Sequence, residues 1–206
     1  KETRVALSVF AINCTLKSSS DESSCGLLLS EVLAEFEKLG VYGEQIRAAD
    51  YNIKPGVTSD EGEGDDWPQI RRKVLDADIF ILGTPIWLGH PSSLSQRVME
   101  RLDALIGETD DDGRKASFGR VAGVAVVGNE DGAHHIIAEA FQGLNDVGFT
   151  LPANASTYWV GEAMHGTDFK DLDRTPDPVR KTNQALARNC VHLATLLKQA
   201  AYPPQK

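Results

Sequence analysis

Three short stretches, residues 5–12, 78–82 and 121–127, are apolar almost without interruption, and none alternates apolar with polar side chains. Alternation marks a strand with one wet face. Continuous apolar character marks a strand covered on both faces, as in a parallel sheet enclosed by helices. The segments between these stretches carry the helical period. Leu29, Leu33 and Phe36 recur at helical spacing with Leu28, Val32 and Leu39 beside them, and Gly40 stands where glycine ends a helix. Further helices are predicted over 67–75, over 133–147, and over 91–106, with Pro91 in the first turn and Gly107 just past the end. Asp177, as an N-cap before Pro178, opens a last helix to about residue 201. Two less apolar strands complete the pattern, an edge strand at 44–48 and another at 149–151 continuing near 158–160.

Strands alternating with helices specify the α/β class, here a doubly wound parallel sheet of five strands with helices on both faces. A length of 206 residues fits one domain spanning 1–206, since domains cluster near ~100–200 residues. Residues 50–66 and 108–119, both acidic and glycine-containing, read as excursions from this plan, and 161–175 as an irregular stretch after the last strand. Hydrophobic residues at 41% and charged residues at 25% exclude a disordered or fibrous chain. The formal charge of −9 argues against nucleic acid and anionic membrane as partners, because each phosphate contact needs a cation. Cys14, Cys25 and Cys190 are too scattered for a disulfide framework or a Cys-x-x-Cys metal site. No segment reaches the ~20 apolar residues of a membrane span, and no signal-peptide pattern follows Lys1-Glu2-Thr3-Arg4, so a cytoplasmic protein is expected.

In an open α/β sheet, ligands bind beyond the carboxyl ends of the strands, where strand order reverses. That rule nominates three loops. The first, residues 13–24, holds Thr15, Lys17, Ser18, Ser23 and Ser24 and leads into a helix whose free amides and positive dipole end suit a phosphate. Ser23 or Ser24 serves equally well there as an N-cap. The second, Thr84-Pro85-Ile86-Trp87-Leu88-Gly89-His90-Pro91, sets large apolar groups at a sheet rim beside glycines, which suits a planar ligand. The third, Gly128-Asn129-Glu130-Asp131-Gly132-Ala133-His134-His135, mixes glycine access with donors and acceptors. Adjacent His134 and His135 rarely chelate one ion and no third ligand is spaced nearby, so no metal is expected.

Competing phosphate chemistries fail on named positions. Neither a Gly-Lys-[Ser/Thr] loop nor a G-x-G-x-x-G fingerprint follows a strand, and no G-x-S-x-G elbow occurs. A phosphatase built on Cys14 needs an arginine six residues later, and that position is Ser20. A response regulator needs acidic residues where Asn13 and Thr84 stand.

Taken together, the loops resemble those of the flavodoxin-like NAD(P)H-dependent FMN reductase and quinone reductase superfamily. Ile81-Leu82-Gly83-Thr84-Pro85-Ile86-Trp87-Leu88-Gly89, followed by Pro91-Ser92-Ser93-Leu94, is similar to its flavin-ring loop and the next helix. Residues 126–135 resemble its third flavin loop, and the likeness extends over essentially the whole chain. The first loop departs from the pattern: members commonly have a short Gly-Ser-x-Arg loop ending Asn-Thr, whereas this one is longer and ends Ser23-Ser24-Cys25.

The resemblance implies a strand order of 2-1-3-4-5 and FMN at the strand ends. The phosphate would lie over residues 18–25, with Thr15, Lys17, Ser18, Ser23, Ser24 and Cys25 as contacts. The ring would lie between 84–89 (Thr84, Pro85, Ile86, Trp87, Leu88, Gly89) and 128–135 (Gly128, Asn129, Gly132, His134, His135). The flavin carries the chemistry, leaving His134 and His135 as candidate catalytic side chains. NADPH or NADH would be the donor, and a quinone, free flavin or similar small molecule the acceptor. The family pattern implies a homodimer or homotetramer that covers the flavin. A one-electron carrier of the flavodoxin type is the alternative, and a scaffold that has lost flavin a further one. Two-electron behaviour is expected if Glu130 and Asp131 turn out to solvent and leave the donors Asn129, His134 and His135 at the ring.

Overall fold

The structure is a computed structural model that describes residues 6–162 and 164–206. Strand β1 (Ser8–Asn13) is followed by α1 (Ser24–Lys38), β2 (Tyr42–Arg47), α2 (Trp67–Asp76) and β3 (Ile79–Trp87). A two-residue β4 (His90–Pro91) then leads to α3 (Ser93–Leu102), β5 (Val121–Gly128), α4 (Ala133–Asp146), β6 (Ser156–Val160) and α5 (Asp177–Gln199). Val5, the expected start of the first strand, lies outside the described residues. The sheet runs β2-β1-β3-β5-β6 with every neighbour parallel, and β4 pairs antiparallel with the end of β3. With β4 set aside, this is the expected 2-1-3-4-5 order.

The continuous apolar runs have the cause inferred for them. Phe80 and Leu82 of β3, with Ala122, Val124 and Val126 of β5, pack into one core beneath α2, α3 and α4. Their neighbours Ile79, Ile81, Ala125 and Val127 face the other way, into a second core beneath α1 and α5. A strand buried on both faces has no position left for a polar side chain. Helices on both faces follow from the same fact.

Three expectations fail locally. Pro91 is not in a helix: Leu88 (φ 53°) and Gly89 (φ 78°) reverse the chain and bring His90 and Pro91 back beside Trp87 and Ile86. The helix then starts at Ser93, with Ser92 as its cap accepting from the Ser95 amide at 3.1 Å. Asp177 is the first residue of α5 rather than its cap; Pro176 holds the cap position, and the Asp177 carboxylate accepts from Arg180 at 2.7 Å. Residues 149–151 are not a full strand. Thr150 only bridges the foot of β5 at Val121, and ladder pairing resumes at Ser156, because the 151–155 loop carries the chain upward to reach the upper half of β5.

The first acidic excursion is fixed by a charge that no sequence rule located. Arg101 of α3 is 0% exposed and grips the excursion at three points: the Lys54 carbonyl at 2.8 Å, the Thr58 carbonyl at 3.1 Å and the equally buried Asp65 carboxylate at 2.7 Å. Burial pushes the Asp65 carboxyl up, but Arg101 and the amides of Glu61, Trp67 and Lys54 outweigh it and hold the group at about 2, against an ordinary 3.8. Asp65→Asn leaves the buried guanidinium uncompensated and is expected to cost about 3 kcal/mol of stability. The Asp65 contribution is fully present above pH ~3.8 and is lost as pH falls through about 2, because the folded-state value is the depressed one. Urea midpoints measured down the acid limb should therefore lose that part of their pH dependence in the variant; an unchanged acid limb contradicts the assignment.

Candidate functional site

Strands β1, β3 and β5 end at one edge. From β1 the chain crosses to β2 on one side, and from β3 to β5 on the other, so the loops after β1 and β3 diverge and leave a cleft. A cavity of about 200 Å³ occupies it, lined by parts of all three nominated loops together with Trp159, Asp168 and Phe169.

The first loop is shaped from within. The Asn13 side chain accepts from the Thr15 amide at 3.0 Å, and Thr15 is buried at the cavity wall. Ser23 is the N-cap of α1, its hydroxyl accepting from the Gly26 amide at 3.1 Å, and the Ser24 hydroxyl accepts from the Lys170 amide at 3.2 Å. Both hydroxyls accept from protein amides, and each keeps its own O–H to donate. What this end of the cavity offers an anion is these two hydroxyls, the first-turn amides of Ser24 and Cys25, which a helix leaves unpaired internally, and the Lys17 side chain. Ser18 is not at the site: it is exposed, its hydroxyl lies 2.7 Å from that of Ser20, and its carbonyl accepts from Arg47. Burial pushes the Cys25 thiol up to about 12 against the opposing pull of a Cys14 backbone hydrogen bond and Arg47, and raises Cys14 as well. Neither is a thiolate nucleophile.

The second loop contributes Pro85, Ile86 and Trp87. Thr84 does not face the cavity; it is fully buried, accepts from the Ser92 amide at 3.1 Å and donates to the Pro85 carbonyl at 3.0 Å. The Leu88 side chain is 89% exposed and points away, because its positive φ is the pivot of the hairpin. From the third loop come Gly128 and Asn129. A side chain at Gly128 would meet Ile86 at 2.8 Å, so the bare backbone is what allows the two loops to close on each other. Asn129 donates to Asp168 at 3.1 Å. Glu130, expected to turn outward, is among the residues lining the cavity, and its carboxylate accepts from the Leu88 amide at 2.8 Å, tying the third loop to the second.

Gly89, Gly132, His134 and His135 line a different basin of about 510 Å³ on the far side of that tie. Gly132 (φ 127°) packs so closely that an added side chain would come within 2.7 Å of the Gly89 backbone. His134 stands edge-on to Tyr158 at 5.1 Å and His135 edge-on to His90 at 5.0 Å. The expected catalytic candidates are therefore outside the cavity, carried away by the first turn of α4. His90 and Glu139 stand beside His135, while His134 is not part of that group.

Sequence reasoning missed Val127, Glu130, Trp159, Asp168 and Phe169 as lining residues. Trp159 is on β6 and packs on Phe169 at 5.5 Å. Phe169, a buried aromatic within the irregular stretch after β6, was the one available signal, since apolar bulk in a loop must be covered by something.

An open parallel sheet of this order, with a cavity at the reversal and loops that present backbone rather than catalytic side chains, defines a flavodoxin-like protein. Residues 7–165 match the family described as NADPH-dependent FMN reductase, and the chain belongs to that family, whose flavin is FMN and whose donor is a nicotinamide. It is 30% identical over 210 residues to 8-demethyl-8-aminoriboflavin-5'-phosphate synthase of Streptomyces davaonensis, across 96% of this chain and 81% of that one. It is 36% identical over 197 residues to a Mycobacterium bovis protein named divalent metal cation transporter MntH; the match takes in 92% of this chain and 29% of the other, so the chain spans under a third of that relative. The solved structure of RosB with bound 8-demethyl-8-formylriboflavin-5'-phosphate superposes with a TM-score of 0.86 at 29% identity, covering 96% of this chain and 82% of RosB. Among the described residues, no helix is long and apolar enough to cross a membrane.

Both Trp87 and Trp159 line the cavity, while Trp67 is fully buried elsewhere. Added FMN should quench tryptophan fluorescence, and each of Trp87→Phe and Trp159→Phe should remove part of the quenched signal. Quenching that is the same in both variants as in wild type would place the flavin elsewhere.

Proposed function

We propose that this flavin-dependent oxidoreductase holds FMN in the cavity between the three loops, takes reducing equivalents from NADPH or NADH, and passes them to a small-molecule acceptor such as a quinone or free flavin. The observation that carries the reading is the cavity itself. It lies at the strand-order reversal, has a helix N-terminus at one end and is walled by Pro85-Ile86-Trp87 against Gly128-Asn129. When bound, FMN supplies the redox chemistry of its ring. The chain's own part is to hold, orient and shield. The Ser24 and Cys25 amides and Lys17 would take the phosphate. Ile86, Trp87, Trp159 and Phe169 would exclude water, and Asp168 would fix which way the Asn129 amide points. The exposed apolar rim of Trp87 (52%) and Leu88 (89%) supports a homodimer or homotetramer that covers the cavity mouth.

Because Ser23 acts as a cap, capping and phosphate binding can be separated. Ser23→Ala should lower stability by about 1 kcal/mol. Ser23→Asp should keep the cap and the stability, yet place a second negative charge beside the phosphate and weaken FMN binding about tenfold, ~1.4 kcal/mol. Full FMN affinity in Ser23→Asp would remove the phosphate from this helix end.

The donor is read by mixing FMN-loaded protein with NADPH or NADH without oxygen. The yellow absorbance should disappear with one of them and return on adding a soluble naphthoquinone. Glu130 and Asp168 among the lining residues support the one-electron carrier as a second reading, since negative charge beside the ring would oppose full reduction. Failure of both nicotinamides, with chemical reduction stalling after one electron, would establish that reading instead. The likeness to 8-demethyl-8-aminoriboflavin-5'-phosphate synthase, and to RosB solved with a bound riboflavin phosphate, supports a further reading in which FMN is itself the substrate. Chromatography of the flavin after turnover should return unaltered FMN; a changed flavin would favour the substrate reading.

A further inference from the structure

Outside the cavity, on the other side of the Glu130 tie, His90, His135 and Glu139 bring one ligand atom each within 4.8 Å of one another. It is the only such group of three among the described residues. The geometry points to a divalent-cation site of the zinc class, with two imidazoles and one carboxylate as protein ligands and water completing the shell. The inference is independent of flavin binding.

Four features support it. His135 and Glu139 are one helical turn apart on α4, so a single rigid backbone presents both to the same side, and their nitrogen and oxygen are already 3.2 Å apart. Zinc bonds of about 2.0–2.2 Å in a tetrahedron set ligand atoms about 3.3–3.5 Å apart, so this pair has the required spacing. His90 approaches from a separate element, where its backbone is paired with Trp87 in the β3–β4 hairpin, and its ring meets that of His135 edge-on at 5.0 Å. All three side chains are exposed, so rotation of His90 closes the remaining gap without disturbing the core. The donor set is also chemically apt: neutral imidazole and carboxylate suit zinc and its transition-metal neighbours, whereas calcium and magnesium want oxygen alone. The three cysteines, which would compete for such an ion, are all buried.

The consequence is mechanical. His90 belongs to the hairpin whose first arm supplies Ile86 and Trp87 to the cavity wall, and His135 and Glu139 belong to α4. A bound ion would join the two, adding to the tie that Glu130 of the preceding loop makes to Leu88, and the wall would move with the helix.

The test uses the full chain stripped with a chelator and titrated with zinc chloride in a calorimeter. One zinc per chain is expected, together with a rise in melting temperature, because an ion that binds only the folded state stabilises it. His90→Ala and Glu139→Gln, on opposite sides of the trio, should each weaken binding roughly tenfold or more and abolish the thermal shift. His165→Ala is the control. His165 pairs with Glu162 at 3.2 Å and belongs to no three-ligand group among the described residues, so its loss should leave zinc binding unchanged. Cobalt(II) in place of zinc should give the visible bands of a tetrahedral site without a thiolate charge-transfer band. Absence of binding by wild type, wild-type affinity in His90→Ala, or loss in His165→Ala equal to that in His90→Ala would each overturn the site.

Discussion

Ser92 gathers the three elements that make the binding edge: its amide donates to the Thr84 hydroxyl at 3.1 Å, its own hydroxyl donates to the Cys14 carbonyl at 2.6 Å, and the same oxygen accepts from the Ser95 amide at 3.1 Å. In this way the end of β3, the start of the first loop and the first turn of α3 are joined at one buried point. Ser92, Thr84 and Cys14 have almost no exposure, so each group would lose about 1–3 kcal/mol if left unpaired. That cost explains why Thr84 serves the scaffold and not the ligand. The loop that follows is then free to carry Trp87 and Leu88 at the surface, because its base is held from beneath.

On this base, the cavity is made by backbone and by ties between loops. Glu130 holds the Leu88 amide, Asp168 holds the Asn129 amide, and the bare backbone of Gly128 lets Ile86 close in. None of these groups needs to react. They fix where amides and apolar surfaces stand, which is what a protein contributes when the cofactor brings the chemistry. The two thiols nearby are held neutral by burial, and both histidines once placed at the ring lie in the neighbouring basin. The wall itself carries Lys17 and the two acidic residues Glu130 and Asp168.

The apolar pattern located β1, β3, β5 and the helices, because burial on two faces, or on one helical stripe, leaves a mark at each residue involved, whereas the largely exposed β2 leaves little. It misplaced Pro91 and residues 149–151, where the path depends on a partner strand. A two-residue hairpin arm and a single bridge have no period of their own. The loop motifs likewise pointed to Thr15, Lys17, Cys25, Pro85, Ile86, Trp87, Gly128 and Asn129, all of which line the cavity. Thr84 and Leu88 do not line it although Pro85 and Trp87 beside them do, and His134 and His135 line the neighbouring basin instead.

The sequence by itself therefore determined the class of fold, the strand order through its likeness to known loops, and which three loops converge. The class follows from local composition, whereas the order and the convergence of the loops follow from that likeness together with the rule that parallel strands end at one edge. Only the tertiary structure decided which face of each loop is the wall. It placed Asp65 against Arg101 across 36 positions, Glu130 against Leu88 across 42, and His90 beside His135 and Glu139. The physical reason is the same in every case. Charge pairs and ring contacts depend on distances of a few ångströms between residues far apart in the chain, and those distances are set by how the helices settle on the sheet.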